Sequence, residues 1–192
     1  MNAYQIGKMV LFSAGLGLSQ ICSALVDTDP LAEYCVSKSG TLTPMTAWFD
    51  TNQGVIEGLT ERFCTFERDN GYLVIGLSAF ASDHANIAAT YMKSLPEIKE
   101  GSKLLGEHKA RSGALGLPNP SSAVCQKLGG TTINYRFQGN FKPENGGAAD
   151  VCTFGDGSMV SAWTLIYMAN HRAGYDEVKN NVKSQPLPMP GG

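Results

Sequence analysis

The sequence predicts an α+β protein made of two tandem helix–β-meander–helix units, each closed by one disulfide. Three observations favour this fold class: an internal repeat, an even number of cysteines after removal of a leader, and a tight-turn signal in each copy. Of the 192 residues, 43% are hydrophobic and 17% are charged, and the formal net charge is -2. Intrinsic disorder and nucleic-acid binding are therefore not expected, because the former needs low hydrophobicity and the latter a basic face.

The first 24 residues are interpreted as a signal peptide. A polar start ending at Lys8 precedes the apolar run Met9–Leu18, and small residues lead to a cleavage site after Ala24. The run is too short for a membrane span, which needs about 20 apolar residues. Two alternatives are a buried N-terminal helix and a lipoprotein cleavage before Cys22. The signal peptide predicts an exported protein that is periplasmic or associated with the outer membrane.

The remaining chain contains two similar segments. Asp29–Cys35 aligns with Asn119–Cys125 at an offset of 90 residues, and the FCTF sequence at Cys64 aligns with VCTF at Cys152 at an offset of 88. At an offset of 86, residues of the turn and of the next elements align, in the pairs Asn70-Gly71 with Asp156-Gly157, Val74 with Val160, and Leu77 with Trp163. The cysteines are thus repeated together with their surroundings, which predicts a duplicated structural unit.

Each copy predicts the same order of elements. An N-cap residue followed by proline starts a short helix that carries the first cysteine and ends at glycine. An extended stretch rich in β-branched and aromatic residues follows, then a strand centred on the second cysteine, a tight turn, a third strand and a helix. The predicted bounds are Thr41–Phe49 and Thr131–Phe141 for the first strands, and Leu77–Leu95 and Ala162–His171 for the last helices.

These elements divide the chain into five segments. They are the signal peptide 1–24, the first unit 25–95, a linker 96–117, the second unit 118–183 and a tail 184–192. A short amphipathic helix is predicted in the linker over Ile98–Lys109. The tail contains three prolines and is predicted to be an extended arm.

The five cysteines include Cys22, which the signal peptide removes. Four remain, and the repeat favours Cys35 with Cys64 and Cys125 with Cys152, although four cysteines allow three pairings. The alternative is four unrelated buried thiols. Their spacing contains no CxxC pair or cysteine–histidine knuckle, so no zinc site is expected.

The second copy carries the motifs NPSSAVCQKLGGT and DVCTFGDGSMVSAW. It resembles a bacterial family of domains of unknown function that is labelled as hemolysins, clearly over about 119–168 and more weakly in the first copy over about 29–80. The matching positions are Asn119, Pro120, Ser122, Cys125, Gly129, Gly130, Val151, Cys152, Phe154, Asp156, Gly157, Ser158 and Trp163.

The resemblance implies an exported, envelope-associated protein and supplies no catalytic residues. One position departs from the family pattern: its third cysteine is Val160 here, and Val74 in the first copy. The hemolysin label carries little weight, because no membrane-length segment and no strongly basic amphipathic helix follows the leader.

No motif in the sequence predicts catalysis, a metal or a cofactor. The histidines His84, His108 and His171 are interpreted as structural, His84 early in a helix and His171 near a helix end. Asp156-Gly157 is interpreted as a hairpin turn, since the alternating oxygen ligands of a calcium loop are missing. An enzyme is not expected.

The sequence favours a non-enzymatic envelope protein that acts through protein contacts, such as an accessory subunit of an outer-membrane or secretion assembly. The alternative is an inhibitor that presents a rigid loop to a hydrolase. Recognition is expected in the loops that differ between the copies, Thr51–Gly58 and Gly139–Asp150, and in the tail Gln185–Pro190. Aromatic residues of the first strands serve either as core or as a docking patch, and they are Trp48, Phe49, Tyr135, Phe137 and Phe141.

Overall fold

A computed structural model of the protein describes residues 29–69, 71–99, 119–137 and 148–188. The predicted signal peptide, Cys22, most of the linker, His108 and Phe141 lie outside these residues. The first half (29–99) contains α1 (Pro30–Ser37), β1 (Thr41–Thr51), β2 (Gly54–Arg68), β3 (Gly71–Gly76), α2 (Leu77–Ala81) and α3 (Ile87–Ser94). The second half (119–188) contains α4 (Pro120–Lys127), β4 (Thr131–Phe137), β5 (Ala148–Thr153), β6 (Met159–Ser161), α5 (Ala162–Ala169) and α6 (Tyr175–Asn180).

The six strands form one closed barrel rather than two separate sheets. Its order is β1-β2-β3-β6-β5-β4, and every neighbouring pair is antiparallel. Three strands alone leave two edges unpaired, and closure pairs the edges of one half with those of the other. The halves therefore share one barrel, which the expectation of two tandem units did not include.

The two seams between the halves join equivalent residues. At the β1–β4 seam, Thr46 pairs with Arg136, which lies 90 residues later. At the β3–β6 seam, Ile75 pairs with Val160. A residue that pairs with its own counterpart lies on a two-fold axis, as in a symmetric dimer interface. The barrel thus has the internal symmetry of a dimer within one chain.

The register corrects one part of the repeat alignment. Ile75, not Val74, is the counterpart of Val160. Ile75 pairs with Cys64 and Val160 pairs with Cys152, and each of the two lies two residues before the start of a helix. Val74 packs inside the barrel, whereas Ile75 and Val160 pack beneath the helices. The alignment through the turn residues was one position out because the β2–β3 hairpin is longer than the β5–β6 hairpin, and one residue changes the face of a strand.

The barrel has a core on each side of its wall. Its interior is filled by side chains that include Met45, Phe63, Tyr135 and Val151, and the rings of Phe63 and Tyr135 lie 5.2 Å apart in an edge-on contact. A larger cluster lies between the outer face of the strands and the helices, and it includes both disulfides. Strands buried on both faces need apolar side chains at consecutive positions, as Phe63-Cys64 and Val74-Ile75 provide.

The helix predicted over Leu77–Leu95 was wrong, since two helices occupy this range. The chain leaves the helical path after Ala81, and the Phe80 carbonyl accepts a hydrogen bond from the Lys183 amide (2.8 Å). A new helix begins after Asn86, whose side chain accepts from the Ala89 amide (2.7 Å). His84 lies in the connecting segment and not in a helix.

The described part of the tail packs on the first half. Ser184 is fully buried, and its carbonyl accepts a hydrogen bond from Lys93 Nζ (2.7 Å). The Leu187 amide donates to Thr90 Oγ1 (2.8 Å), and Pro186 forms a parallel bridge with Asn86. No helix is present in 184–188, and 184–187 are held by their own chain and are not free to lie along a partner.

The linker is described only up to residue 99. Ile98 is buried and not helical, and its amide donates to Asn170 Oδ1 (2.8 Å). The start predicted for the Ile98–Lys109 helix was therefore wrong, and residues 100–109 lie outside the described residues.

Candidate interaction surface

A two-stranded ribbon projects from the barrel. The last β1 residue that pairs with β4 is Trp48, and the first β2 residue that pairs with β3 is Phe63. Between them, β1 and β2 pair with each other up to Thr51 and Gly54. We call residues 49–59 the hairpin arm.

The tip of the hairpin arm is built by local hydrogen bonds. Thr51 Oγ1 donates to the Gly54 carbonyl (2.6 Å) and accepts from the Gln53 amide (3.2 Å). Gly54 has φ 115°, a conformation that favours glycine. The range Thr51–Gly58, which the sequence predicts to be a loop, is thus a tight turn and part of two strands.

A β-bulge sets the base of the hairpin arm. Thr46 pairs with Thr60 and Trp48 pairs with Glu57, so Gly58 and Leu59 together oppose Ala47. A Cβ at Gly58 would lie 3.0 Å from the Phe49 ring, which shows that this ring lies over the glycine. Bulges bend and twist a strand, so this one directs the ribbon away from the barrel wall.

The hairpin arm exposes apolar side chains. Phe49 is 42% exposed, Val55 47%, Ile56 57% and Leu59 78%. Phe49 and Ile56 lie directly opposite each other, so they form one apolar face with Gly58. Exposed apolar clusters of this kind are typical of interaction sites.

The opposite face of the hairpin arm is acidic. Asp50 and Glu57 lie on the face of Trp48, whose Nε1 donates to Asp50 Oδ1 (3.1 Å). The Arg136 guanidinium lies 3.5 Å from the centre of the Trp48 ring, at the base of the hairpin arm. From 41 to 61 the sequence contains no lysine or arginine. Val55 pairs with Asp50 and so lies on this second face as well. The hairpin arm therefore presents one apolar face and one face on which acidic side chains lie beside Val55 and Trp48.

Other aromatic residues of the first strands divide between core and surface. Tyr135 is buried inside the barrel, and Phe137 packs edge-on against Tyr72 at 5.5 Å. Burial raises the pKa of the Tyr135 phenol, and the nearby Glu61 carboxylate raises it further. Phe49 alone of these residues is among the exposed large hydrophobic side chains of the described chain.

The structure places the cysteines and the neighbouring glycines together. Cys35 is bonded to Cys64 and Cys125 to Cys152, so each disulfide joins the first helix of a half to its second strand. All four are fully buried. A Cβ at Gly40 or at Gly130 would overlap the sulfur of the adjacent disulfide. The glycine after each helix is thus needed for the close approach of the disulfide.

The remaining motif residues have structural positions. Asn119 caps α4 by accepting from the Ser121 amide (3.1 Å), Pro120 is the first helical residue, and Gly129 ends the helix with φ 79°. Gly157 has φ 78° in the turn before β6, and the Trp163 ring stacks on Tyr167 at 5.5 Å. These contacts stabilise the second half.

Asp156 connects the two halves. Its Oδ2 accepts a hydrogen bond from the Ile87 amide at the start of α3 (2.7 Å), and its Oδ1 accepts from the Ser158 amide (2.9 Å). Burial alone would raise the pKa of this carboxyl, but the hydrogen bonds with Ser158 and Ile87 outweigh it and the pKa lies below its ordinary value. The residue is in a turn, as predicted, and it also caps a helix of the other half.

A cavity of about 230 Å³ lies at one mouth of the barrel. Thr41, Thr43, Thr65, Glu67 and Tyr72 line it, together with Leu42 and Pro44. The Thr43 and Thr65 hydroxyls hydrogen-bond each other at 2.7 Å. Because these polar groups already bond within the protein, the hairpin arm is the stronger candidate surface.

The histidines do not form a cluster in the described chain. His171 follows α5, and its Nδ1 lies 3.0 Å from Asp176 Oδ2 at the surface. Within the described ranges, no group of three or more histidine, cysteine or acidic residues could hold a metal ion. No helix of the described residues is both long and apolar enough to cross a membrane.

Comparison with known proteins identifies one segment. Residues 116–168 match the family model "Domain of unknown function (DUF333)". The DUF333 segment covers α4, the three strands β4–β6 and nearly all of α5, and the resemblance to a domain of unknown function is thereby confirmed for this segment. No curated protein and no solved structure matches the chain.

Proposed function

We propose that the chain is a non-enzymatic, exported protein of the periplasm or outer membrane that binds a protein partner through its hairpin arm. The observation that carries this proposal is the exposed apolar face of Phe49, Ile56 and Leu59 on a ribbon that leaves the barrel. Two disulfides hold the framework below it. Binding residues on a rigid framework lose less conformational freedom when a partner is bound.

The proposed location rests on the signal-peptide pattern and on the disulfides. Structural disulfides persist in oxidising compartments such as the bacterial periplasm. We further infer that residues 29–80 are a second, diverged copy of the DUF333 domain, because their disulfide, helix cap and strand register correspond to those of the DUF333 segment. The hemolysin label of the family is not part of the proposal.

The most fitting role is an accessory subunit of an outer-membrane or secretion assembly. The alternative role is inhibition of a hydrolase, which the projecting form of the hairpin arm favours, because an inhibitor must place a rigid loop into a cleft. The two roles differ in the partner, which is a large membrane complex for the first and a single soluble enzyme for the second.

The experiment compares partner recovery from an envelope extract with three immobilised proteins. These are the wild type, an arm variant with Phe49→Ser, Ile56→Ser and Leu59→Ser, and the control Val36→Ser. Val36 is 60% exposed on α1, so its substitution removes an equally exposed apolar side chain elsewhere. We expect the arm variant to lose the partner and the control to keep it. Full recovery by the arm variant would contradict the proposal.

A further inference from the structure

The hairpin arm leaves one edge of β2 unpaired. Within the barrel each strand pairs on both sides. On the hairpin arm, no strand of the described residues pairs with the outer edge of β2 over 54–59. Main-chain amide and carbonyl groups along such an edge can pair with an added strand.

We propose that this edge binds an extended segment of the partner, which adds to β2 over 54–59 and alternates basic and apolar side chains. This inference rests on the proposed function and specifies how the hairpin arm recognises its partner.

The alternation follows from the two faces of the hairpin arm. Side chains of an added strand lie beside those of β2 and point to alternate faces. On one face they meet Ile56 and the Phe49 ring, which lies over Gly58, and this favours an apolar side chain. On the other face they meet Glu57 of β2, which favours lysine or arginine, and beside it Val55, which contacts the alkyl part of such a side chain.

Charge argues against a second copy of the chain as the occupant. If two hairpin arms pair edge to edge in the antiparallel register centred on Glu57, Glu57 of each copy lies beside Glu57 of the other. The strands themselves contain no lysine or arginine from 41 to 61, and the Arg136 guanidinium on this face belongs to β4 and is stacked on the Trp48 ring. Like charges on neighbouring strands are destabilising, and charged residues on an edge protect it from self-association.

The test uses the full chain and two synthetic ten-residue peptides, one alternating lysine with valine and one alternating glutamate with valine. Amide hydrogen exchange is measured along the chain with and without each peptide. At a peptide concentration of about ten times its Kd, we expect exchange at 54–59 to slow about tenfold with the lysine peptide. The glutamate peptide should leave it unchanged, and the Glu57→Lys variant should reduce protection by the lysine peptide.

Three results would overturn the inference. They are binding of the lysine peptide without protection of 54–59, equal protection by both peptides, and protection of 54–59 by raised protein concentration alone, which would identify a second copy as the occupant. The proposed function is tested separately. If the arm variant loses its partner while the peptide protects nothing, strand addition is wrong and the hairpin arm remains the binding surface. If the arm variant keeps its partner, the proposed function fails whatever the peptide does.

Discussion

The two halves of the barrel share a framework, and among the described residues the first half also carries the hairpin arm. Each begins with a capped helix whose first residue is proline, and each places a disulfide between that helix and its second strand. The glycine that follows the helix donates its amide to the first cysteine's carbonyl at 3.0 Å in both halves. Equivalent positions therefore serve folding, and the hairpin arm is a feature of the first half in the described chain.

The N-cap of the first helix contacts the same position of the second strand in both halves, although the residues differ. In the first half, Asp29 caps α1 and forms an ion pair with Arg62. In the second half, Asn119 caps α4 and its amide donates to Asp150, which occupies the position of Arg62. The partner is basic where the cap is a carboxylate and acidic where the cap is an amide. Each half therefore has a side-chain contact between its cap and the same position of its second strand.

The largest expected effect comes from the disulfides. The double variants Cys35→Ala/Cys64→Ala and Cys125→Ala/Cys152→Ala should each lower the free energy of unfolding by about 3–4 kcal/mol, because their loops span 29 and 27 residues. Urea unfolding measures both. If removal of one of the disulfides lowered the free energy of unfolding by less than about 1 kcal/mol, the two disulfides would not have equivalent roles.

The next effect concerns the glycines beside the disulfides. Gly40→Ala and Gly130→Ala should each cost about 1–3 kcal/mol, since the added methyl group overlaps a sulfur atom. Gly155→Ala is the matched control, because a Cβ there meets nothing within 4 Å. Thermal unfolding of the three variants tests the contact. Equal melting temperatures for Gly130→Ala and Gly155→Ala would show that the glycine is not required.

These particular residues show how far the sequence predicts the structure. The caps, the glycines and the order of elements follow from local rules, and the repeat selects the cysteine pairing found. Barrel closure depends on pairing between residues such as Thr46 and Arg136, which no local pattern encodes. After the break at Ala81, the Phe80 carbonyl is paired with the Lys183 amide, about 100 residues away, and a local pattern cannot predict such a contact. Phe49 and the range Thr51–Gly58 were both recognition candidates from the sequence, but their meeting on one exposed face depends on the β1–β2 register, which the sequence pattern did not give.

The cap pairs provide a third, smaller test. Asn119→Asp should cost about 0.5–1 kcal/mol at neutral pH, because it places a carboxylate beside Asp150 at the surface. Adding Asp150→Arg should restore stability by recreating the pair of the first half. If the double variant is as unstable as the single one, the two cap pairs are not equivalent.

The first-half cap should also depend on pH. The hydrogen bond from the Leu31 amide, with the Arg62 charge, holds the pKa of Asp29 below its ordinary value of 3.8. The charged form thus stabilises the fold at neutral pH, and this contribution is lost as the pH falls through the folded-state pKa. Asp29→Asn should therefore be destabilising at pH 7 and close to neutral in strong acid, as measured by urea unfolding at each pH. A cost that does not change with pH would contradict the ion pair.

An effect of similar size is expected where the helices end. Ser39 has φ 61°, and its counterpart Gly129 has φ 79°. Glycine adopts this conformation without strain, so Ser39→Gly should stabilise the protein by about 0.5–1 kcal/mol and Gly129→Ser should destabilise it by a similar amount. Calorimetry of both variants checks the signs. Shifts of the same sign would show that the two helix ends are not equivalent.

Removal of the hairpin arm should change the stability least of all these substitutions and should reduce partner binding most. Replacing residues 49–56 by Asn-Gly joins Trp48 to Glu57, which already pair, through a two-residue turn. We expect a melting temperature within about 2 °C of the wild type, because the removed residues are exposed, and no recovery of the partner from an envelope extract. A shortened protein that melts far below the wild type, or one that still recovers the partner in full, would contradict the division between a shared framework and a recognition arm.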